Sequence, residues 1–420
     1  MYVQAMKTPD SSGKARQDRS LARAMKLAMV VWSVTMVING SFIRPRSSAS
    51  FAVVDWLVIL RLICAAAGIA LGAYLIAKRR MHLGKGSMLV IAYLVIALLS
   101  SLFSEHIRQS IGYSALLIGA GLLTVGLVSC QTKVAGLIQL ETLFFAVLCF
   151  AVIKDTWLAL FAPELRDAMI TLTVPARLGT GLVPPNRLSI MGAIAFWISF
   201  KFKPKRSVLL LWALRVCLCF VVLGTRSRVS LLALMGGGVV WLWLQYKAAE
   251  HRGIAARGGL VALLLSGVIL LALLFACDFG PLMSLLEVVN RGEDVATTMS
   301  LTGRTDIWAL VLRKLASNPL TAIVGHGYGT SILIMRDLAQ SLSFIPRHTH
   351  NTFFEFLLTM GIPGAILCVS FFLYGFRWNQ VYRKSRPGDE RSRLANIATI
   401  ILIIIFLNGM TETYIARQVN

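Results

Sequence analysis

Stretches of close to 20 apolar residues recur about eleven times along this chain, and that is the length a helix needs to cross the hydrocarbon core of a bilayer. Their approximate limits are 25–43, 52–77, 87–104, 110–128, 134–153, 187–201, 207–223, 229–246, 258–277, 351–376 and 394–411. Inside lipid, every backbone N–H and C=O must be satisfied within the segment or its neighbours, so such runs fold as helices. The expected fold is therefore all-α: a polytopic integral membrane protein of about 11–12 transmembrane helices. Composition agrees. The chain is 57% hydrophobic and 15% charged, with a mean hydropathy of +0.73, whereas a soluble domain carries roughly 25% charged residues. These values exclude a soluble globular enzyme, a disordered chain and a fibrous repeat.

Charge sets the expected orientation. Lys and Arg number 42 against 19 Asp and Glu, a net charge of +23. In a lipid-embedded chain such an excess marks the cytoplasmic side rather than a nucleic-acid partner. Roughly 24 of the basic residues fall in the N-terminal arm (1–24, extending to Lys26) and in short alternate linkers such as Lys78-Arg79-Arg80 and Arg383-Lys384. The positive-inside rule then places the N-terminus in the cytoplasm, and an odd number of spans places the tail, 412–420, outside. Ser48-Ala49-Ser50 has the look of a cleavage site, but the run before it is long enough to span and many spans follow. The seven cysteines lie in or beside apolar runs without a C-x-x-C pair. They read as small buried hydrophobes, not as a disulfide framework or thiolate metal site.

Within the single transmembrane domain, 25–411, two outside loops stand out, 154–186 and 278–350. The second, a large periplasmic loop before the tenth span, is too long to be a mere connection. In it Ile307, Trp308, Val311, Leu312 and Leu315 recur at helical spacing until Pro319. This pattern predicts an amphipathic helix on the outer face with Trp308 at headgroup level.

The same outer face gathers arginines against the topology rule. Arg187 follows Pro184-Pro185-Asn186, Arg226 and Arg228 sit at the mouth of the eighth span, and Arg304 lies in Thr-Gly-Arg-Thr-Asp-Ile-Trp. The guanidinium fork fits phosphate oxygens and stays charged when partly desolvated. Together the four are read as a pocket for an anionic group at the membrane surface, such as a lipid pyrophosphate. Any one of them alone is equally explained by headgroup contact or snorkelling. At the re-entry into the membrane stands His348-Thr349-His350-Asn351-Thr352-Phe353-Phe354-Glu355. A histidine can take a proton near neutral pH, as a general base must. Asn351 and Glu355 share one helix face, and Glu355 falls about one turn inside the span, where an ionisable group is costly. The plainer alternative is a polar N-cap flanked by interfacial histidines. His326, in Gly325-His-Gly-Tyr-Gly329, is a further polar candidate in a tight turn. His-x-His without H-E-x-x-H or a supply of outer carboxylates gives no metal site, and there is no phosphate-binding nucleotide loop. Asp55, Arg61, Glu141 and Arg215, within spans, serve either as an ion relay or as inter-helix glue.

In chain order these motifs are Pro-Pro-Asn186, Thr-Arg226-Ser-Arg228, Thr-Gly-Arg304-Thr-Asp-Ile-Trp308, Gly-His-Gly-Tyr-Gly329, and His350-Asn-Thr-Phe-Phe-Glu-Phe-Leu with Gly361-Ile-Pro-Gly364. The ordered set resembles the O-antigen ligase and O-antigen polymerase superfamily of bacterial inner-membrane proteins over roughly 90–412. The 300–364 stretch is most similar to exopolysaccharide polymerases of the ExoQ type. The resemblance implies a GT-C-like membrane glycosyltransferase without nucleotide sugar, metal or other cofactor. It implies a donor saccharide on undecaprenyl pyrophosphate at the periplasmic face, a saccharide acceptor, and a flippase and chain-length regulator as neighbours. The family's loop histidine falls on His350, and its phosphate-contacting arginines on Arg226 or Arg228 and on Arg304. Many relatives have twelve spans and a cytoplasmic C-terminus, whereas this chain stops soon after Glu412.

The chemistry expected on this basis is transfer of saccharide repeat units to a growing chain, with arginines stabilising the diphosphate leaving group and His350 deprotonating the acceptor hydroxyl. Substrate contacts are expected from Arg226, Arg228, Arg304, Arg187, His348, His326, Asn351 and Glu355. A ligase acting on lipid A–core differs only in acceptor. A transporter or flippase predicts paired charges at the midplane and symmetric halves. A scaffold for polysaccharide export requires none of the site residues.

Overall fold

The computed structural model describes residues 11–41, 56–79, 83–131, 134–161, 178–179, 184–202, 207–225, 227–249, 304–338, 348–385 and 390–410. Among these the secondary structure is entirely helical. Helices α1 (Ser11–Ser41), α2 (Trp56–Arg79), α3 (Lys85–Leu102), α4 (Ile107–Ser129) and α5 (Val134–Phe161) come first. They are followed by α6 (Pro185–Ser199), α7 (Val208–Gly224) and α8 (Arg228–Ala249). Beyond residue 303 lie α9 (Arg304–Ser317), α10 (Pro319–Val324), α11 (Ser331–Leu338), α12 (Thr352–Ser385) and α13 (Glu390–Gly409). Seven helices are long and apolar enough to cross a membrane, and two shorter apolar ones, Val208–Gly224 and Val229–Leu244, accompany them. The protein is a polytopic, all-helical membrane protein. A described helix covers ten of the eleven expected runs, while the ninth, 258–277, lies outside the described residues. Asp55 also lies outside them.

Helix α5 continues past the expected edge at 153 to Phe161. Lys154 and Asp155 interrupt its apolar pattern, but they pair at 2.8 Å, with Asp155 buried. An ion pair of this kind lets the helix carry charge without exposing both groups to lipid. Among the described residues the 278–350 segment holds three helices, α9, α10 and α11, rather than one.

Small residues fix the close contact between α2 and α4. A Cβ on Gly68 would sit 2.5 Å from the Gly119 carbonyl oxygen, and one on Gly119 2.6 Å from Ala65 Cα. Without a hydrophobic drive between helices in lipid, such close backbone approach supplies the packing. Polar residues inside the spans act as glue. Lys201 is ion-paired with Glu141 and donates to the Ile138 carbonyl at 3.2 Å. Arg215 donates to Ser199 Oγ and O at 3.0 and 2.9 Å and lies over the rings of Phe200 and Trp212. Glu141 and Arg215 thus hold helices together.

The decisive local feature is the break in α12. Gly361 adopts φ 67°, ψ −164°, and Pro363 follows it. Proline has no N–H for the Thr359 carbonyl, and the Gly361 turn displaces the Ile362 N–H from the Leu358 carbonyl. Both acceptors are filled from elsewhere: His326 N–H donates to Leu358 O at 3.0 Å and Gly327 N–H to Thr359 O at 2.9 Å. The bend is sharp enough that a Cβ on Gly364 would lie 2.9 Å from the Phe356 carbonyl oxygen. The α10–α11 turn is therefore bolted to the elbow. Its own fit needs glycine, since Gly325 has φ 78° and a Cβ there would collide with the Thr359 carbonyl. Gly325→Ala should cost at least about 2 kcal/mol through left-handed strain and that collision. The measurement is thermal unfolding of the detergent-solubilised protein, and an unshifted midpoint would refute the account.

Candidate functional site

The end of the bundle that carries the candidate residues is defined by a chain of polar contacts. Asn351 caps α12, its Oδ1 accepting from the N–H of Phe353 at 2.9 Å and of Phe354 at 3.3 Å. Its Nδ2 donates to the Met410 carbonyl at 3.0 Å, just past α13. Near the end of α13, Asn408 Oδ1 accepts from Ser230 Oγ at 2.9 Å, in the first turn of α8. The start of α12, the end of α13 and the start of α8 therefore meet. The end of α7 and the start of α6 join them: Leu178 N–H donates to Gly224 O at 2.8 Å, and a Cβ on neighbouring Gly179 would touch Pro185 Cγ at 2.7 Å. Buried Val222, Ile190, Ala233 and Ile404 close the interior beneath this end.

At its centre the segment 348–350 is tightly held. Among the described residues His350 is the only non-glycine residue with positive φ, 53°. Side chains other than glycine pay about 1–2 kcal/mol for this conformation, so the surroundings must enforce it. Thr349 does so. Its N–H donates to Glu355 Oε2 at 3.2 Å, and its hydroxyl lies 3.0 Å from the same oxygen and 2.8 Å from the Asn351 carbonyl. Its own carbonyl accepts the indole N–H of Trp308 at 2.9 Å. Trp308 stacks on Phe354, centroids 5.2 Å apart and planes 14° apart. The tryptophan expected at headgroup level is half-buried and gives its donor to protein, and its helix α9 packs Ile307, Val311 and Leu315 onto Met335 and Leu358.

His348 is buried, and its Nδ1 accepts the His350 N–H at 3.2 Å. The two imidazoles lie 4.0 Å apart, centroid to centroid. His350 itself is half-exposed, so it can meet a substrate. Arg304 opens α9 one turn before Trp308, on the same helix face, and is half-buried. Arg187 stands in the first turn of α6, next to buried Leu188, and lies within electrostatic reach of buried Asp155. Arg228 begins α8, though its side chain lies outside the described residues, as does all of Arg226.

The structure therefore brings His348, His350, Asn351 and Glu355 together in one loop, places Arg304 one turn before Trp308, which bonds that loop, and sets the helix starts bearing Arg187 and Arg228 at the same bundle end. Asn351 and Glu355 are spent on capping and on Thr349, respectively. Sequence pattern alone marks neither Thr349 nor Asp155. A hydroxyl between two histidines, six residues before a buried glutamate, is the available sign for Thr349; Asp155 gives none apart from breaking an apolar run. Among the described residues no three of His, Cys, Asp and Glu converge as metal ligands would.

His326 stands apart, tied to α12 two turns further along. It is buried, with Nδ1 3.9 Å from Glu105 Oε1, and Lys314 Nζ lies 3.6 Å from the same oxygen. Burial and the Lys314 charge push its pKa below 6.5, outweighing the opposing pull of Glu105.

Residues 213–369 match the family model described as O-antigen ligase. This segment contains the Arg226, Arg304, His326 and His350 motifs. The match agrees with the O-antigen ligase and polymerase superfamily and supports an activity of that ligase or polymerase type. No curated protein matches the chain.

Two predictions arise here. Trp308→Phe keeps the stacking surface but removes the donor to Thr349. It should destabilise the protein by about 1 kcal/mol and lower transfer activity by releasing His350. Activity equal to wild type would show that the loop does not need this tether. The second concerns pH. A folded-state pKa below the unfolded one means that the unfolded chain binds more protons between the two values. The His326 contribution to stability is therefore present above pH 6.5 and is lost as pH falls through that range. His326→Gln should flatten the acid side of a melting-temperature profile; an unchanged profile would assign the acid sensitivity elsewhere.

Proposed function

We propose that the protein is a bacterial inner-membrane polysaccharide polymerase. It transfers saccharide repeat units from undecaprenyl pyrophosphate to a growing chain at the periplasmic face, with the N-terminus in the cytoplasm. The observation that carries this reading is the strained His350 at the bundle end where the helix starts bearing Arg187 and Arg228 and the arginine-led helix α9 meet. In the reaction, the acceptor hydroxyl attacks the anomeric carbon and the glycosyl–pyrophosphate bond breaks. The proton passes to His350, and the lipid diphosphate leaves with both electrons of the broken bond. Arg304, Arg187 and Arg226 or Arg228 stabilise the charge that grows on the leaving group. Preplaced donors of this kind commonly contribute more to such catalysis than any other single effect. A glycan chain-length regulator and a flippase are the natural neighbours of such an enzyme.

One observation favours a second reading. The matching family model is described as O-antigen ligase, and a ligase differs only in using lipid A–core as acceptor. The product decides: long carrier-linked polymer in one case, glycan-capped lipid A–core in the other.

His350→Ala should lower transfer by at least about 10²-fold while the protein still inserts and unfolds near the wild-type temperature. Arg304→Ala should lower it by about 10²-fold, with Arg304→Lys recovering only part, because a lysine cannot present two parallel donors. Assay in lipid nanodiscs with a synthetic lipid-linked donor measures both. Full activity in His350→Ala removes the proposed base from the mechanism.

A further inference from the structure

The elbow in α12 divides it into unequal parts. The piece from Ile362 to Tyr382 has roughly 20 residues and a length of about 30 Å, the thickness of the hydrocarbon core. Its far end carries Arg377 and an aromatic ladder in which Tyr374 stacks on Trp378 and Trp378 meets Tyr382 edge-on. Charged and aromatic side chains of this kind mark a headgroup layer. Measured from Arg377, the helix rises about 24 Å back to Gly361, so the elbow lies within about one helical turn of the opposite boundary of the core.

Helix α10 is fixed to that boundary. A Cβ on Gly361 would collide with the Ile323 carbonyl, and the following turn donates its two N–H groups to Leu358 and Thr359. α10 buries none of its residues, and Leu320 and Ile323 are each 55% exposed. Directly below, α12 presents Ile362 and Ile366, 48% and 59% exposed, lining an apolar recess at the elbow together with Leu357 and Phe353. The open face of α10 and the exposed isoleucines of α12 thus flank the same elbow. Water next to these side chains is disfavoured in proportion to the apolar surface left wet.

We infer that α10 is a monotopic anchor, with Leu320 and Ile323 seated among phospholipid acyl chains at the outer edge of the hydrocarbon core. The partner is the bilayer, not a second protein. The anchor fixes the depth of the α9–α11 insert and, through Trp308 and Thr349, the height of the 348–350 loop above the lipid. It also relocates Glu355. That residue lies on the outer side of the elbow and is buried by protein, so no carboxylate has to face hydrocarbon. This inference is independent of the reaction the protein catalyses.

The test uses the full chain in nanodiscs of phosphatidylethanolamine and phosphatidylglycerol. A photoreactive benzophenone amino acid replaces Leu320 or Ile323 in separate variants, and Ser317, exposed at the end of α9, in a third. On illumination, both α10 positions should give adducts with the mass of an intact phospholipid, at least about tenfold above the Ser317 control, as expected from contact with hydrocarbon on one side only. Equal phospholipid labelling at all three positions, or none, overturns the assignment. So do adducts to a second copy of the chain in place of lipid. Because the replaced side chains are exposed, misfolding is not expected; a monodisperse elution profile identical to wild type confirms that each variant is read in its native fold.

Discussion

Two backbone hydrogen bonds hold one end of this protein together: His326 N–H to the Leu358 carbonyl and Gly327 N–H to the Thr359 carbonyl. They are needed because Gly361 and Pro363 strip two consecutive acceptors of their helical donors. An unfilled buried carbonyl costs as much as a lost hydrogen bond. At the edge of a bilayer water cannot be relied on to fill it, so the break and the Gly-His-Gly-Tyr-Gly turn are mutually dependent. Tyr328, at the centre of that turn, meets Tyr93 edge-on, and its carbonyl accepts from Ser110 Oγ at 3.0 Å, extending the joint to α3 and α4. Helices from both halves of the sequence therefore converge on one elbow.

From that joint the order passes outward to the candidate site. The elbow seats α9 through Leu358, α9 presents Trp308, and Trp308 holds the Thr349 carbonyl. Glu355 grips the other face of Thr349, leaving His350 in a left-handed conformation that no isolated peptide would favour. Strain of this kind persists only where neighbours over-determine it, and such places are characteristically functional. A second line of contacts, from Asn351 through Met410 and Asn408 to Ser230, brings the start of α8 to the same end. The proposed glycosyl transfer from a lipid diphosphate asks for a half-exposed imidazole on a held backbone and for cations on separate helices that need not move when charge develops.

The polar residues buried in the spans serve a different purpose. Arg215, enclosed by Ser199, Phe200 and Trp212, and the Lys201–Glu141 pair satisfy each other or nearby backbone. They fasten α7 to α6 and α6 to α5. A relay through the membrane would instead need such groups to exchange partners, and their saturated contacts do not favour that.

Much of this is legible in the chain itself. Apolar runs of bilayer length dictate helices, because lipid offers the backbone no other partner, and ten of those runs lie on described helices. The ordered motifs point to a superfamily that the match over 213–369 supports. Residue types mark His350 and Arg304, because imidazole and guanidinium are the groups this chemistry needs. What the sequence could not specify was distance across the chain. Nothing local says that Trp308 reaches Thr349, that His326 fills a carbonyl 32 residues away, or that Asn351 is occupied with capping while Thr349 restrains the loop. A periodic pattern reports which face of a helix is apolar but not which of its residues also bond protein, as Trp308 does. Local chemistry determined the helices and the candidate groups; only packing in three dimensions decided which of those groups are spent on structure and which stay partly open, as His350 does.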